Sequence, residues 1–161
     1  MLFRSTPRDI AHRFKRHSPD IVSVHITYSN TAEGVGWEAV RARLAVDGSD
    51  RGRSALQLQQ SFAKSHAVCL ARMNGVVVCT ARAVCDRANS AYIVDVWTDP
   101  DLRRRGIATH VLRLLLDALG QRHAYLFTAP HHMRLYEALG FVPDDLSAGK
   151  VGDKRLIRRI P

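Results

Sequence analysis

Cysteine is scarce in this chain. Only Cys69, Cys79 and Cys85 occur in 161 residues. The count is odd, no Cys-x-x-Cys is present and no secretory segment is recognised, so neither a disulfide framework nor a zinc site is expected. All three lie in apolar, strand-like stretches, which fits small core side chains in a reducing cytoplasm. No apolar run approaches the roughly 20 residues of a membrane helix, and there are no internal repeats or low-complexity linkers. Acid is short as well: 15 Asp and Glu face 24 Lys and Arg, a formal charge of +9. Such an excess keeps a small protein soluble and draws in polyanionic ligands. Aromatics make up 7% and do not interleave with the scattered basic residues. That argues against a nucleic-acid stacking platform and leaves weak, nonspecific binding as the most a basic surface would give.

What is present is enough apolar material for one full core. The hydrophobic fraction is 46%, and this length fits one main domain, taken as residues 21–161. Residues 1–20 read as a basic N-terminal arm or accessory helix. Thr6-Pro7-Arg8-Asp9 looks like a helix start, with Ile10 and Phe14 on one face. Its charges, Arg13, Lys15 and Arg16, also admit a membrane or targeting helix, although an accessory helix or loose arm is the preferred reading.

Periodicity sets out the remaining elements. Ile21 to Tyr28 alternates as a half-buried strand, with Val22, Val24, Ile26 and Tyr28 on one face. Ser29 to Gly36 is a turn, and Trp37, Val40 and Leu44 mark a short amphipathic helix. After a polar loop at Gly48 to Gly52, Ser54-x-x-Gln57 is a capping box for a second helix carrying Leu58 and Phe62. Asn74-Gly75 joins strands Ala67–Met73 and Val76–Val84 as a hairpin. A third strand runs from Ser90 to Thr98 and is closed by Asp99-Pro100. Ala108, Val111, Leu112, Leu115 and Leu119 follow at helical spacing, with Gly120 as the cap. A strand from Ala124 to Thr128, a helix from His131 to Leu139 and short strands near Phe141 and from Lys154 to Ile160 complete the chain. The order is β-α-α-β-β-β-α-β-α-β-β.

Between the third strand and the long helix stands Arg103-Arg104-Arg105-Gly106-Ile107-Ala108. An arginine run before a helix is often only solvated charge. Here it lies where exposed amides and the positive end of a helix dipole converge, which suits a pyrophosphate. No Gly-Lys-Ser/Thr follows, so it is not a nucleotide P-loop; the three glycines of a dinucleotide fingerprint are also missing.

The spacing Arg103-x-x-Gly106-x-Ala108 resembles the acyl-CoA loop of the GCN5-related N-acetyltransferases (GNAT family). The lead-in Val96-x-Thr98-Asp99-Pro100 and the later Leu135-Tyr136-Glu137-Ala138-Leu139-Gly140-Phe141 resemble the same family. The likeness in element order covers about Ile21 to Ile160, whereas the specific motifs fall between Ala91 and Phe141. It implies a single-domain mixed α/β fold, with a central splayed sheet flanked by helices and the pantetheine arm of the cofactor lying in the splay. It further implies transfer of an acetyl group from acetyl-CoA to an amine, by direct attack in a ternary complex.

The resemblance assigns roles residue by residue. Backbone amides of Arg104, Arg105, Gly106, Ile107, Ala108 and Thr109, with Arg103 opening the loop, would hold the pyrophosphate; Gly106 and Ala108 are small so that nothing blocks it. The strand end Val96, Trp97 and Thr98 would offer backbone groups to the pantetheine and the thioester oxygen. Tyr136 matches the tyrosine that protonates the departing sulfur, and its alternative is an amphipathic helix residue beside Met133 and Leu139. Two positions depart from the family pattern: Ala129 replaces the usual Asn seven residues before the tyrosine, and His132 stands where a small residue is preferred.

Asp95 is read from its own chemistry. By alternation it shares a face with Ile93 and Trp97, opposite Val94, Val96 and Thr98. A carboxylate in apolar company should have a raised pKa and would serve as general base; equally, it is a structural Asp paired to an arginine. His123, His131 and His132 lack metal-ligand spacing, so no metal is expected. The competing functions are a non-catalytic acyl-CoA-binding or regulatory domain and a basic nucleic-acid-binding module. The acceptor would be chosen by Ser29 to Phe62 and the last strands, and a homodimer is an open expectation.

Overall fold

The computed structural model describes residues 25–86, 89–144 and 154–159. The expected helix at 6–16, the 1–20 arm, the strand residues before His25, and Ile160 lie outside them. Within them the elements are β1 (Ile26–Ser29), α1 (Trp37–Ala45), α2 (Ala55–Ala63), β2 (Ala67–Met73), β3 (Val76–Cys85), β4 (Ser90–Thr98), α3 (Ile107–Leu119), β5 (His123–Thr128), α4 (Met133–Glu137), β6 (Val142–Pro143) and β7 (Lys154–Arg158). This is the order expected from periodicity.

The strands form one seven-stranded sheet, β1-β2-β3-β4-β5-β7-β6. The β2–β3 hairpin turns on Asn74 (φ 50°) and Gly75 (φ 82°), the paired left-handed conformations that Asn-Gly adopts most readily. Only β4 and β5 run parallel, because α3 carries the chain back across the sheet between them.

Each face of the sheet has its own core. On one, α3 buries Ile107, Val111, Leu112, Leu115, Leu116 and Leu119 against Cys69, Ala71, Val78 and Ile93, with Tyr136 of α4 in the same cluster. On the other, Trp37, Val40 and Leu44 of α1 and Leu58 and Phe62 of α2 pack on Leu70, Val77 and Trp97. Removing Leu115, fully buried, to alanine would cost about 2–5 kcal/mol. The capping box of α2 forms as expected, with Ser54 and Gln57 bonded reciprocally. The helix expected from His131 to Leu139 is shorter. Pro130, which lacks an amide donor, opens a 3-10 turn through His132, and Gly140 (φ 86°) ends the helical run.

Two features of β4 shape the rest of the molecule. It pairs with β5 only at Ser90–His123, Ala91–Ala124 and Tyr92–Tyr125, while β5 stays paired with β7 as far as Thr128. Beyond Tyr92 the two strands diverge. At the same point β4 carries a bulge: Val94 pairs with Arg82 and Trp97 with Thr80, so Ala81 alone faces Asp95 and Val96. Asp95 adopts φ 53°, and the Thr80 hydroxyl donates to its carbonyl at 2.9 Å. A bulge bends and twists its strand, which accounts for the parting of β4 from β5.

The bulge also corrects the expected alternation. Ile93 packs with the α3 cluster and Trp97 with the α1–α2 cluster, so they lie on opposite faces. The extra residue shifts everything after it by one.

Candidate active site

The divergence of β4 and β5 opens a cleft of about 360 Å³. Asp95, Val96 and Trp97 line one wall, Leu126 to Ala129 the other, and Tyr136 and His132 close one end; Arg51, Arg53 and Phe62 reach it from the α1–α2 side. The structure thus brings Tyr136, Asp95, Val96 and Trp97 to one cleft.

Backbone groups line the gap. The Asp99 amide donates to the Val78 carbonyl at 2.8 Å, fixing which residues of the strand end face β3. By alternation, the amides of Val96 and Thr98 face away from β3, into the gap that β5 leaves.

Past Thr98 the chain is tied down by ion pairs. Asp99, buried at the start of a 3-10 turn over Pro100–Leu102, pairs with Arg43 of α1. Arg103 donates to the Thr98 carbonyl at 3.1 Å and pairs with Asp47. Its side chain therefore anchors the loop whose backbone amides follow. Arg104 (φ 60°) and Gly106 (φ 77°) both take left-handed conformations, which turn successive amides toward one side. The first amide to find an intrahelical acceptor is that of His110, on the Gly106 carbonyl. The amides of Ile107, Ala108 and Thr109 precede it, and no side chain caps Gly106. A Cβ on Gly106 would meet nothing within 4 Å. Glycine is required by the left-handed backbone, and the space above it is open for an anion.

Tyr136 is buried, edge-on to Phe141. Burial pushes its phenol up to about 12, against a hydrogen bond with Thr128 that pulls the other way. The hydroxyl stays protonated throughout the working range of pH. Ala129, in place of the expected Asn, contributes only its carbonyl, which accepts from the His132 amide at 3.0 Å. Cys79, beside Thr98 at 3.3 Å, has its thiol raised to about 12 by burial.

Asp95 departs from expectation. Arg53 grips its carboxylate through two bonds of 2.9 Å, and the Arg82 Nε donates a third at 2.6 Å. Burial alone would raise its pKa, but these guanidinium bonds outweigh it and hold the carboxyl below the ordinary Asp value. The expected upward shift is reversed. Arg82 is itself packed over the Phe62 ring at 5.7 Å and bonded to Ser65 at 3.2 Å. The two guanidiniums had unequal visibility. Arg82 is the one charged residue of β3, a signal that Asp95 needed a partner; Arg53 sits in a polar loop and carries no such mark.

His132 was set aside as a metal ligand but lines the cleft with Tyr136. Desolvation first, then the charges of His131 and Arg103, lower its pKa. It is neutral at physiological pH and can accept a proton. Among the described residues no group of three His, Cys, Asp or Glu side chains is placed to hold a metal ion.

Comparison with known proteins places this architecture. The acetyltransferase (GNAT) family model matches residues 37–141, and the chain belongs to that family of N-acyltransferases. Among solved structures, an aminoglycoside 6'-N-acetyltransferase complexed with coenzyme A is similar at 14% identity, covering 83% of this chain and 97% of that one, with a TM-score of 0.72. A GNAT-family acetyltransferase from Staphylococcus aureus Mu50 shares 15% identity over 84% and 99% of the two chains (TM-score 0.67). The PaiA N-acetyltransferase of Thermoplasma acidophilum, in complex with coenzyme A, shares 13% over 84% and 99% (TM-score 0.64). No curated protein matches the chain. At these identities the likeness is one of fold.

Proposed function

We propose that the protein transfers an acetyl group from acetyl-CoA to a primary amine by direct attack in the β4–β5 cleft. The observation that carries this reading is the parting of β4 from β5 beyond Tyr92, on the strand whose chain leads within a few residues to the uncapped N-terminus of α3. The pantetheine arm lies along β4 in place of the missing strand pairing. The pyrophosphate sits on the amides from Arg104 to Thr109, where the helix dipole and the exposed Arg104 favour negative charge. Among the neighbours, two are complexes with coenzyme A.

The chemistry follows from what each side chain can hold. The amine nitrogen attacks the thioester carbonyl, and a β4 amide donates to the carbonyl oxygen as it gains charge. The carbon–sulfur bond breaks, and Tyr136 donates its phenolic proton to the departing sulfur. The proton shed by the amine goes to His132, the neutral base of the cleft, directly or through water. Asp95 is the wrong group for that step, since its charge is committed to Arg53 and Arg82. Its role is to hold the bulge that aims Val96 and Thr98 at the gap. The sequence expectation of a cytoplasmic protein belongs to this reading as well, supported by the three free cysteines, and a homodimer is proposed with it.

Calorimetry of acetyl-CoA against wild type and Gly106→Asp tests the placement. The carboxylate would repel the phosphates, yet its Cβ meets no neighbour. Binding should be lost, while stability falls only by the roughly 1–2 kcal/mol of a left-handed non-glycine residue. Equal affinity in the two proteins refutes the site.

A further inference from the structure

We infer that the acceptor amine also carries an anionic group, a carboxylate or a phosphate, which Arg51 receives. This rests on the acetyltransferase reading above and names the substrate class of that site. The α1–α2 end of the cleft is short of negative charge. Asp95 is the one carboxylate among its described lining residues, and it is held by Arg53 and Arg82 at 2.6–2.9 Å. Two guanidiniums on one carboxylate leave that cluster positive. No acid remains to pair with a second ammonium on a substrate, so polycationic amines meet net repulsion here.

Arg51 supplies the attractive half of the argument. It lines the same cleft and is exposed, and its guanidinium has no ion-pair or hydrogen-bond partner among the described residues, unlike those of Arg41, Arg43, Arg53 and Arg103 around it, which all have carboxylate partners. A turn conformation with φ 54° fixes its place in the loop. A second donor lies deeper: the Trp97 Nε1 is buried without a partner among the described residues, on a side chain that also lines the cleft. An unmatched buried N–H is costly, so this wall of the cleft is short of acceptors as well as of acids. A planar guanidinium suits carboxylate and phosphate alike.

The test measures binding and turnover separately. Four probes are titrated into protein saturated with CoA: β-alanine (amine and carboxylate), phosphoethanolamine (amine and phosphate), ethanolamine (neutral) and spermidine (cationic). One of the two anionic amines should bind most tightly, and which one it is identifies the anion. Arg51→Gln should weaken that amine by roughly ten- to a hundredfold, the range for a charged hydrogen bond, with CoA affinity and melting temperature unchanged. Arg51→Glu should reverse the order in favour of spermidine. Tightest binding of spermidine or ethanolamine by wild type, or an unchanged preference in Arg51→Gln, overturns the inference. Binding in the predicted order without acetyl-CoA-dependent thiol release would instead refute the enzyme reading and leave the anion site standing.

Discussion

Replacing Asp95 separates a structural carboxylate from a catalytic base. Its side chain is 9% exposed, and those of Arg82 and Arg53 are 14% and 20% exposed, so the three charges are largely withdrawn from solvent. Asp95→Asn keeps the shape and tolerates the left-handed backbone, but it removes the charge that two guanidiniums share. Breaking a buried pair by removing one partner costs about 3–5 kcal/mol. The retained amide oxygen still accepts one bond, and two arginines are partly wetted, so a loss of about 2–4 kcal/mol is expected. For a domain of this size that is a fall in melting temperature of roughly 5–15 °C. The sign with pH follows from the depressed pKa: the stabilisation is present above the unfolded Asp value of about 3.9 and is lost as pH drops through the lower folded value. The gap between wild type and variant should therefore be full at neutral pH and close in strong acid. Calorimetric melts across pH, with turnover per folded molecule, provide the assay. A melting temperature within 2 °C of wild type, together with loss of the acid limb of the rate profile, would refute this reasoning and restore Asp95 as the base.

Two further outcomes bear on the proton transfers. Tyr136→Phe removes one hydroxyl from the cleft and should lower turnover by roughly ten- to a thousandfold while leaving acetyl-CoA affinity near wild type; unchanged turnover ends the acid assignment. If His132 is the base, kcat/KM should rise with pH through an inflection below the ordinary His value of about 6.5, because its pKa is lowered; His132→Ala should abolish that inflection, and its persistence would point to another group.

The parts legible in the sequence are those set by local pattern. The hydrophobic repeat of α3, the Asn74-Gly75 hairpin and the Ser54–Gln57 capping box each rest on residues a few positions apart, and each appears where expected. The basic glycine turn was legible for the same reason, since a strand, a glycine and a helix start are consecutive. What stayed hidden depends on pairing between distant segments. Period-two reasoning put Ile93, Asp95 and Trp97 on one face because an inserted residue leaves no mark in an otherwise regular strand. Asp95 was readable as an anomaly, but whether burial or arginine wins depends on Arg53, 42 residues away in sequence. Arg103 fits its motif yet anchors the loop through Asp47, 56 residues earlier, a contact no local spacing announces.

The account stands most directly on amine-dependent release of CoA thiol. Wild-type protein, offered acetyl-CoA and the anionic amines above, should release thiol well above the rate without amine, in step with appearance of the N-acetylated amine by mass spectrometry. Gly106→Asp should release none. Saturable CoA binding with no amine-dependent release from a broad panel would contradict the account and mark the cleft as a binding site alone.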